Sequence, residues 1–404
     1  MEVAGLRSTS FRWVGVQCAA AHHGGWPIGR LRDRQGAMMQ DLPLSPLRAT
    51  TPGAPAALLE PLVDAFERAC LRVAPVCRCF AMAGTIVRFA IAGQALAAAL
   101  LRAFDHLAVA PDRPADLSVR LWDATETGIA RPLPDLRGLM AEHAPFGDGL
   151  VARDAAGSVG AIGFQSPRVF ALLDPAAAIL AGCVTDAQAL SFFEIGKPLQ
   201  PLLFHWHAAH GTLPLHAALV SAQGRGMILG GKGGSGKSTS ALACARAGLD
   251  FLGDDYVGIG ADGPRGMTGH SLYASAWLED GHSRVLPWLT EHPLPGTDSG
   301  ERKQSFSVLD ALPGRLAQTT RIVAIGLPRV TAEPVAAARR IAPGEALRRL
   351  APSSILQIPF LETPQAMAAI GRLVRACPCY ELTVGPDLPS IARCVGRILS
   401  GGWT

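Results

Sequence analysis

From about residue 83 onward, apolar and polar positions recur with clear periods. "GTIVRFAIAG" (84–93) alternates as a strand does, and "QALAAALLRAFDHL" (94–107) repeats its apolar residues with the period of an amphipathic helix. "DLSVRLWDA" (116–124) alternates again, and 149–186 holds further short alternating runs broken by Gly and Pro. These elements predict a small α+β domain over 83–190. The next segment, "ALSFFEIGKPLQPLLFHWHAAHG" (189–211), reads as a helix. Residues 1–82 show little periodicity before "ALLEPLVDAFERACLRV" (57–73), a helical run, and are expected to form a poorly defined extension.

A different texture begins at about 212. "HAALVSA" (216–222) and "GMILG" (226–230) are apolar runs joined at Gln-Gly-Arg-Gly, the pattern of a hairpin. "STSALACARAG" (238–248) then reads as a helix ending at Gly248, and "LDFL" (249–252) as a short strand. Farther on, "RIVAIGLPRV" (321–330) is a strand, helices are expected around 344–351, 364–376 and 388–399, and "CPCYELTVGPDL" (377–388) supplies a strand and turn. The whole reads as an α/β fold, with residues 191–404 as its second domain.

Between the second strand of the hairpin and the helix lies "GKGGSGKS" (231–238), a full match to G-x-x-x-x-G-K-[ST]. Gly231, Gly233, Gly234 and Gly236, with Ser235 between them, let successive backbone N–H groups point inward around phosphate oxygens. The helix starting near Lys237 adds the positive end of its dipole. Lys237 can reach the outer phosphates, Ser238 can offer a hydroxyl to Mg²⁺, and Thr239 opens the helix beside them. The motif on its own could be a chance Gly-rich turn; the strand before it and the helix after it argue otherwise. Asp254 and Asp255 follow the next strand, where a carboxylate can hold Mg²⁺ and a second can take a proton from an attacking hydroxyl. Taken alone, such a pair is more often a solvated turn.

Composition narrows the field without adding chemistry. Apolar residues make up 49% of the 404 and charged residues 17%, enough for a sizeable core. A net charge of +4 is too mild to point to nucleic acid or a membrane surface as partner. The most apolar stretch, 89–104, is interrupted by Gln94 and ended by Arg102, and the first residues lack an export core, so a cytoplasmic protein is expected. Nine cysteines, an odd number spread along the chain, do not form a disulfide framework. The Cys77/Cys79 and Cys377/Cys379 pairs, and His205, His207 and His210, are weighed as metal ligands and read instead as reduced thiols and an aromatic, packed helix face.

His216, "GKGGSGKS" and "DDYV" (254–257) in that order resemble the HPr kinase/phosphorylase type of P-loop serine kinases. The separations, fifteen residues from His216 to Gly231 and seventeen from Ser238 to Asp255, look the same as that family's. The resemblance covers roughly 212–330, and the pattern looks more like divergent members such as lasso-peptide tailoring kinases. It implies a P-loop kinase core of HPr-kinase type behind an N-terminal α+β domain. It further implies ATP and Mg²⁺ as cofactors and a peptide, protein or small-molecule phosphate acceptor, with a homo-oligomer as the family's habit. Carried over by residue, Lys237 would contact the transferred phosphate and Ser238 with Asp254 would hold Mg²⁺. Asp255 would be the general base, and His216 a supporting polar group. The two aspartates can exchange roles. The family's C-terminal signature is not recognisable; in its place "DSGERKQSFSVLD" (298–310) offers Arg302 and Lys303, either leaning on the γ-phosphate or simply solvated. A nucleotide-gated binding module without phosphotransfer is the competing reading.

Overall fold

Two nine-stranded sheets carry most of the apolar pattern, and a computed structural model describes them over residues 55–132, 140–144, 147–153, 159–261, 266–279, 284–297, 303–355 and 363–402. The first sheet is built from β1 (Val76–Met82), β2 (Thr85–Ala92), β3 (Ala108–Val109), β4 (Leu117–Asp123), β5 (Met140–Ala144), β6 (Gly147–Arg153), β7 (Val159–Gln165), β8 (Val169–Asp174) and β9 (Ile179–Val184). Its order is β3-β1-β2-β4-β9-β8-β7-β6-β5, with β4 parallel to both β2 and β9. Alternation sends Val87, Phe89, Ile91, Val119 and Leu121 to one face, where they pack with Leu202, Phe204 and Trp206. Trp122, Phe170 and Leu172 face the other way, onto Leu58, Leu62 and Phe66 of the helix Pro55–Cys70. Residues 55–82, grouped with the irregular extension on sequence grounds, therefore supply both a helix and a strand to this sheet.

One predicted element divides. The helix expected over 189–211 is two helices, Phe192–Gly196 and Gln200–Ala209. Pro198 and Pro201 cannot continue a helix from the preceding turn, and Leu199 takes a left-handed conformation at φ +54°. Lys197 sits in the break.

The second sheet is built from β10 (Thr212–Leu215), β11 (Ala218–Ala222), β12 (Arg225–Leu229), β13 (Asp250–Gly253), β14 (Val257–Ala261) and β15 (Met267–His270). A two-stranded ribbon intervenes, β16 (Ser275–Glu279) with β17 (Lys303–Ser307), before β18 (Thr319–Val330), β19 (Ala337–Ile341) and β20 (Cys379–Val384) complete the sheet. The order is β10-β14-β15-β18-β12-β11-β13, with β20 on β18 and β19 on β20. β18 is twelve residues long and uses its length: its first half pairs with β15, its middle runs parallel to β12, and its end runs parallel to β20. Helices Lys237–Arg246 and Leu388–Leu399 cover one face, and Pro343–Ile355 and Thr363–Ala376 the other. The fold is a mixed α/β one. No helix among the described residues is long and apolar enough to cross a membrane.

The two sheets are joined by specific contacts. Leu272 and Tyr273, just past β15, belong to the core of the first sheet. His106 Nε2 lies 2.7 Å from Ser271 Oγ, Gln318 Nε2 donates to the His106 carbonyl at 2.9 Å, and Arg102 pairs with Asp310. Burial pushes His106 down to about 4; burial, with His270 and His210 nearby, pushes His207 to about 3. Both keep a buried Nδ1 with no hydrogen-bond partner among the described residues, which a proton would only make worse.

A pH dependence of stability follows. Above pH ~6.5 these histidines are neutral folded or unfolded; below it the unfolded chain takes up protons that the folded chain refuses. Each therefore removes roughly 1.4 kcal/mol per pH unit between ~6.5 and its folded value. Urea unfolding at pH 7.5 and 5.5 should show a drop of about 2–3 kcal/mol, reduced by about half in His207→Asn. An undiminished drop in His106→Asn/His207→Asn would show that other groups set it.

Candidate active site

β12 lies inside the sheet between β11 and β18, so the chain leaving Leu229 emerges at the C-terminal ends of parallel strands. Gly230 is tied to that edge by its N–H, which donates to the Gly326 carbonyl at 2.9 Å. Residues 230–236 then turn into the helix Lys237–Arg246. Gly236 is the N-cap at φ +96°, and a Cβ there would stand 3.2 Å from methyls of both Val330 and Val384. Conformation and space both demand glycine. The buried Lys237 ammonium donates to the carbonyls of Gly231 at 2.9 Å and Lys232 at 3.2 Å, folding the loop around its own side chain. With the first-turn N–H groups of the helix, this makes an anion-attracting concavity.

A cavity of about 350 Å³ opens over this loop. Gly233, Gly234, Ser235, Gly236, Lys237, Ser238 and Thr239 line it together with His216, Asp255 and Lys303. Val285, Val330, Val384, Leu388 and Ile391 give it an apolar wall. The space is of the size that takes a small organic ligand. Gly231 is not in the lining; it holds Lys237 from behind. Arg302 lies outside the described residues, while Lys303 is the first residue of β17.

The adjacent aspartates have opposite surroundings. Asp254 is buried, and its Oδ2 accepts from the Trp277 N–H at 2.9 Å. Its Oδ1 has no hydrogen-bond partner among the described residues. Burial first, then the neighbouring Asp255 charge, raise its pKa, while the Ser238 hydroxyl beside it pulls the other way. Asp255 holds a left-handed backbone at φ +71°, uncommon for a residue other than glycine and a mark of local constraint. Its Oδ1 lies 2.9 Å from His216 Nε2, and its Oδ2 accepts from Lys197 Nζ. Burial works to raise this carboxyl, but Lys197 and His216 hold it well below the ordinary range, as a carboxylate. His216 is set in turn by its Nδ1, 3.3 Å from the Ser353 carbonyl, and by its ring against Tyr256.

The sequence reading did not single out Lys197. It is 3% exposed, and its ammonium lies 4.2 Å from the Trp277 ring centroid, 5.1 Å from Tyr256 and 5.5 Å from Phe193. A lysine set in "FFEIGKPLQPLLF" (192–204), among apolar residues and just before a proline, was the available signal. Glu279, opposite Lys303 in the β16–β17 ribbon, also lines the cavity and carried no signal at all. His207 is buried and His210 bonds through Nδ1 to the Trp206 carbonyl at 2.8 Å; His205, His207 and His210 are all absent from the cavity lining. Among the described residues the cysteines are free, and no group of three or more His, Cys, Asp or Glu is arranged to hold a metal.

No protein-family model matches the chain, and no curated protein sequence does. Among solved structures it is similar to the HPr(Ser) kinase/phosphatase from Coxiella burnetii, at 11% identity and a TM-score of 0.25, over 47% of this chain and 99% of that one.

Two neighbouring glycines separate conformation from composition. Gly236→Ala should lower stability by about 1–2 kcal/mol, because an L side chain must take a left-handed backbone there. Gly233→Ala, with open space and no positive φ, should stay within about 0.5 kcal/mol of wild type. Denaturant unfolding of both variants reads the difference; equal effects would overturn this account of the loop.

Proposed function

We propose that the protein is an ATP-dependent kinase that transfers the γ-phosphate to a hydroxyl, in first place a serine of a peptide or protein. The observation that carries this is the position of Asp255. An ionised carboxylate, held on a strained backbone by Lys197 and His216, faces the same cavity as a Gly-rich strand–loop–helix turn and its lysine. A site that only bound a phosphate would gain nothing from a fixed anion there. A site that must take a proton from a hydroxyl needs one.

In this reading the loop amides from Gly233 to Ser238 and the helix terminus cradle the phosphates of ATP, with Thr239 in the first turn and Gly231 holding Lys237 from behind. Lys237 leaves its carbonyl partners to meet the outer phosphates, and Lys303 adds a second positive charge from the opposite ribbon. The apolar wall of Val330, Val384, Leu388 and Ile391 takes the nucleoside end. The acceptor oxygen attacks the γ-phosphorus in line, the bond to the β–γ bridging oxygen breaks, ADP leaves, and Asp255 accepts the hydroxyl proton. Ser238 and Asp254 would hold Mg²⁺. The orphaned, buried Oδ1 of Asp254 beside Ser238 fits a cation, since a bound charge satisfies the oxygen and reverses the effect of burial. Bound there, Mg²⁺ supplies neutralisation of phosphate charge.

A second reading has one observation in its favour. Both oxygens of Asp255 are already engaged, by Lys197 and His216, as they would be in a nucleotide-gated binding module that needs no base. The variants separate the two, using γ-labelled ATP with a degenerate serine-peptide library and with glycerol as a simple alcohol. Lys237→Ala should abolish both ATP binding and transfer. Asp255→Asn should bind ATP within about threefold of wild type and lose about 10²–10⁴-fold in transfer. Undiminished transfer by Asp255→Asn, or tight ATP binding with no label reaching either acceptor, would put the gated module ahead.

A further inference from the structure

We propose that Lys197 is a positioning residue for Asp255, a clamp from behind the site that keeps the carboxylate turned toward the acceptor and away from the phosphate-site lysines. The proposal rests on the phosphotransfer reading for its purpose and on the geometry of the pair for its existence.

Lys197 is buried behind the cavity lining and reaches the cavity through its bond to Asp255. The break between helices Phe192–Gly196 and Gln200–Ala209 gives it a path inward, and Phe193, Tyr256 and Trp277 enclose the ammonium. Among the described residues, Asp255 is the carboxylate it pairs with. Lys197 takes Oδ2 and His216 takes Oδ1, and two partners on two oxygens fix both the direction of the carboxylate and the rotation of its plane. A single partner would leave the plane free.

The alternative partners explain why a clamp is needed. Lys237 and Lys303 line the same cavity as Asp255 and feel its charge. A carboxylate free to rotate would be drawn to one of them, occupying the cation that must meet phosphate and removing the base from the acceptor. A misplacement of about 1 Å in such a group can cost about 10²-fold in rate. Lys197 thereby sets a division of charge: Lys197 serves the base, and the two cavity lysines serve the phosphates.

The test combines a structure with kinetics. In a crystal structure of Lys197→Met, the Asp255 carboxylate should leave His216 Nε2 and turn toward Lys237 or Lys303. This arm reads the clamp whatever the enzyme's acceptor. Using γ-labelled ATP and the serine-peptide library, Lys197→Met should lower kcat by about 10–100-fold while the KM for ATP stays within about threefold. Lys197→Ala should regain turnover saturably with propylammonium, which restores the missing chain and its charge, and not with 1-propanol, which restores only the volume. An Asp255 that still bonds His216 in the same rotamer overturns the proposal. So does equal rescue by propanol, which would make Lys197 a packing residue. Wild-type protein that binds ATP and labels no acceptor refutes the phosphotransfer reading instead, and leaves the crystallographic arm to decide the clamp.

Discussion

A buried ammonium against a half-buried carboxylate is the constraint that organises this molecule. Moving either ion out of water costs several kcal/mol, and only a well-placed partner offsets it. Lys197 comes from the segment between the two sheets and Asp255 from the turn after β13, fifty-eight residues apart. The pair brings the helix break set by Pro198, the left-handed backbone at Asp255 and the aromatic enclosure together at one spot. The first sheet is therefore joined to the second through this ion pair as well as through the core near Tyr273.

Around that pair, chemistry is divided by environment rather than by residue type. Asp254 and Asp255 are neighbours in sequence, yet one is pushed up by burial with an oxygen left bare and the other is held down by two partners. Pairs of titratable groups driven in opposite directions mark sites where one must carry charge and another must receive it. The aspartate pair that sequence leaves interchangeable has two different surroundings: Asp254 keeps a bare buried oxygen, and Asp255 has a partner on each oxygen.

Local pattern made much of this visible in the sequence. The strands at 85–92, 117–123 and 319–330 and the helix at 388–399 fall close to where alternation and helical period put them, because each buries one continuous face. The turn at 230–238 was legible because the constraint on it is local: glycine is demanded by the backbone itself. Lys197 was not, because its partner is set by tertiary folding and a lone lysine has no period. The helix over 189–211 was read through its two prolines, since the apolar count on either side outweighed them. The helix at 55–70 was legible at 57–73, but strand β1 after it was hidden, since its burial depends on a sheet formed later in the chain.

The length and position of β18 set the order in which the centre can exist. The loop after β12 is flanked by β18, whose first residue comes ninety positions later (319 against 229), and by β20, which starts sixty positions later still (379 against 319). A chain leaving the ribosome N-terminus first thus exposes its glycine loop long before the walls around it have been made. Such parallel pairings at long sequence separation close slowly, since loop entropy must be overcome before contacts repay it. The anion-attracting turn is among the first parts of the second half to be synthesised, and its enclosure is among the last. Until then it is a bare loop beside a hairpin, and the cavity over it does not yet exist.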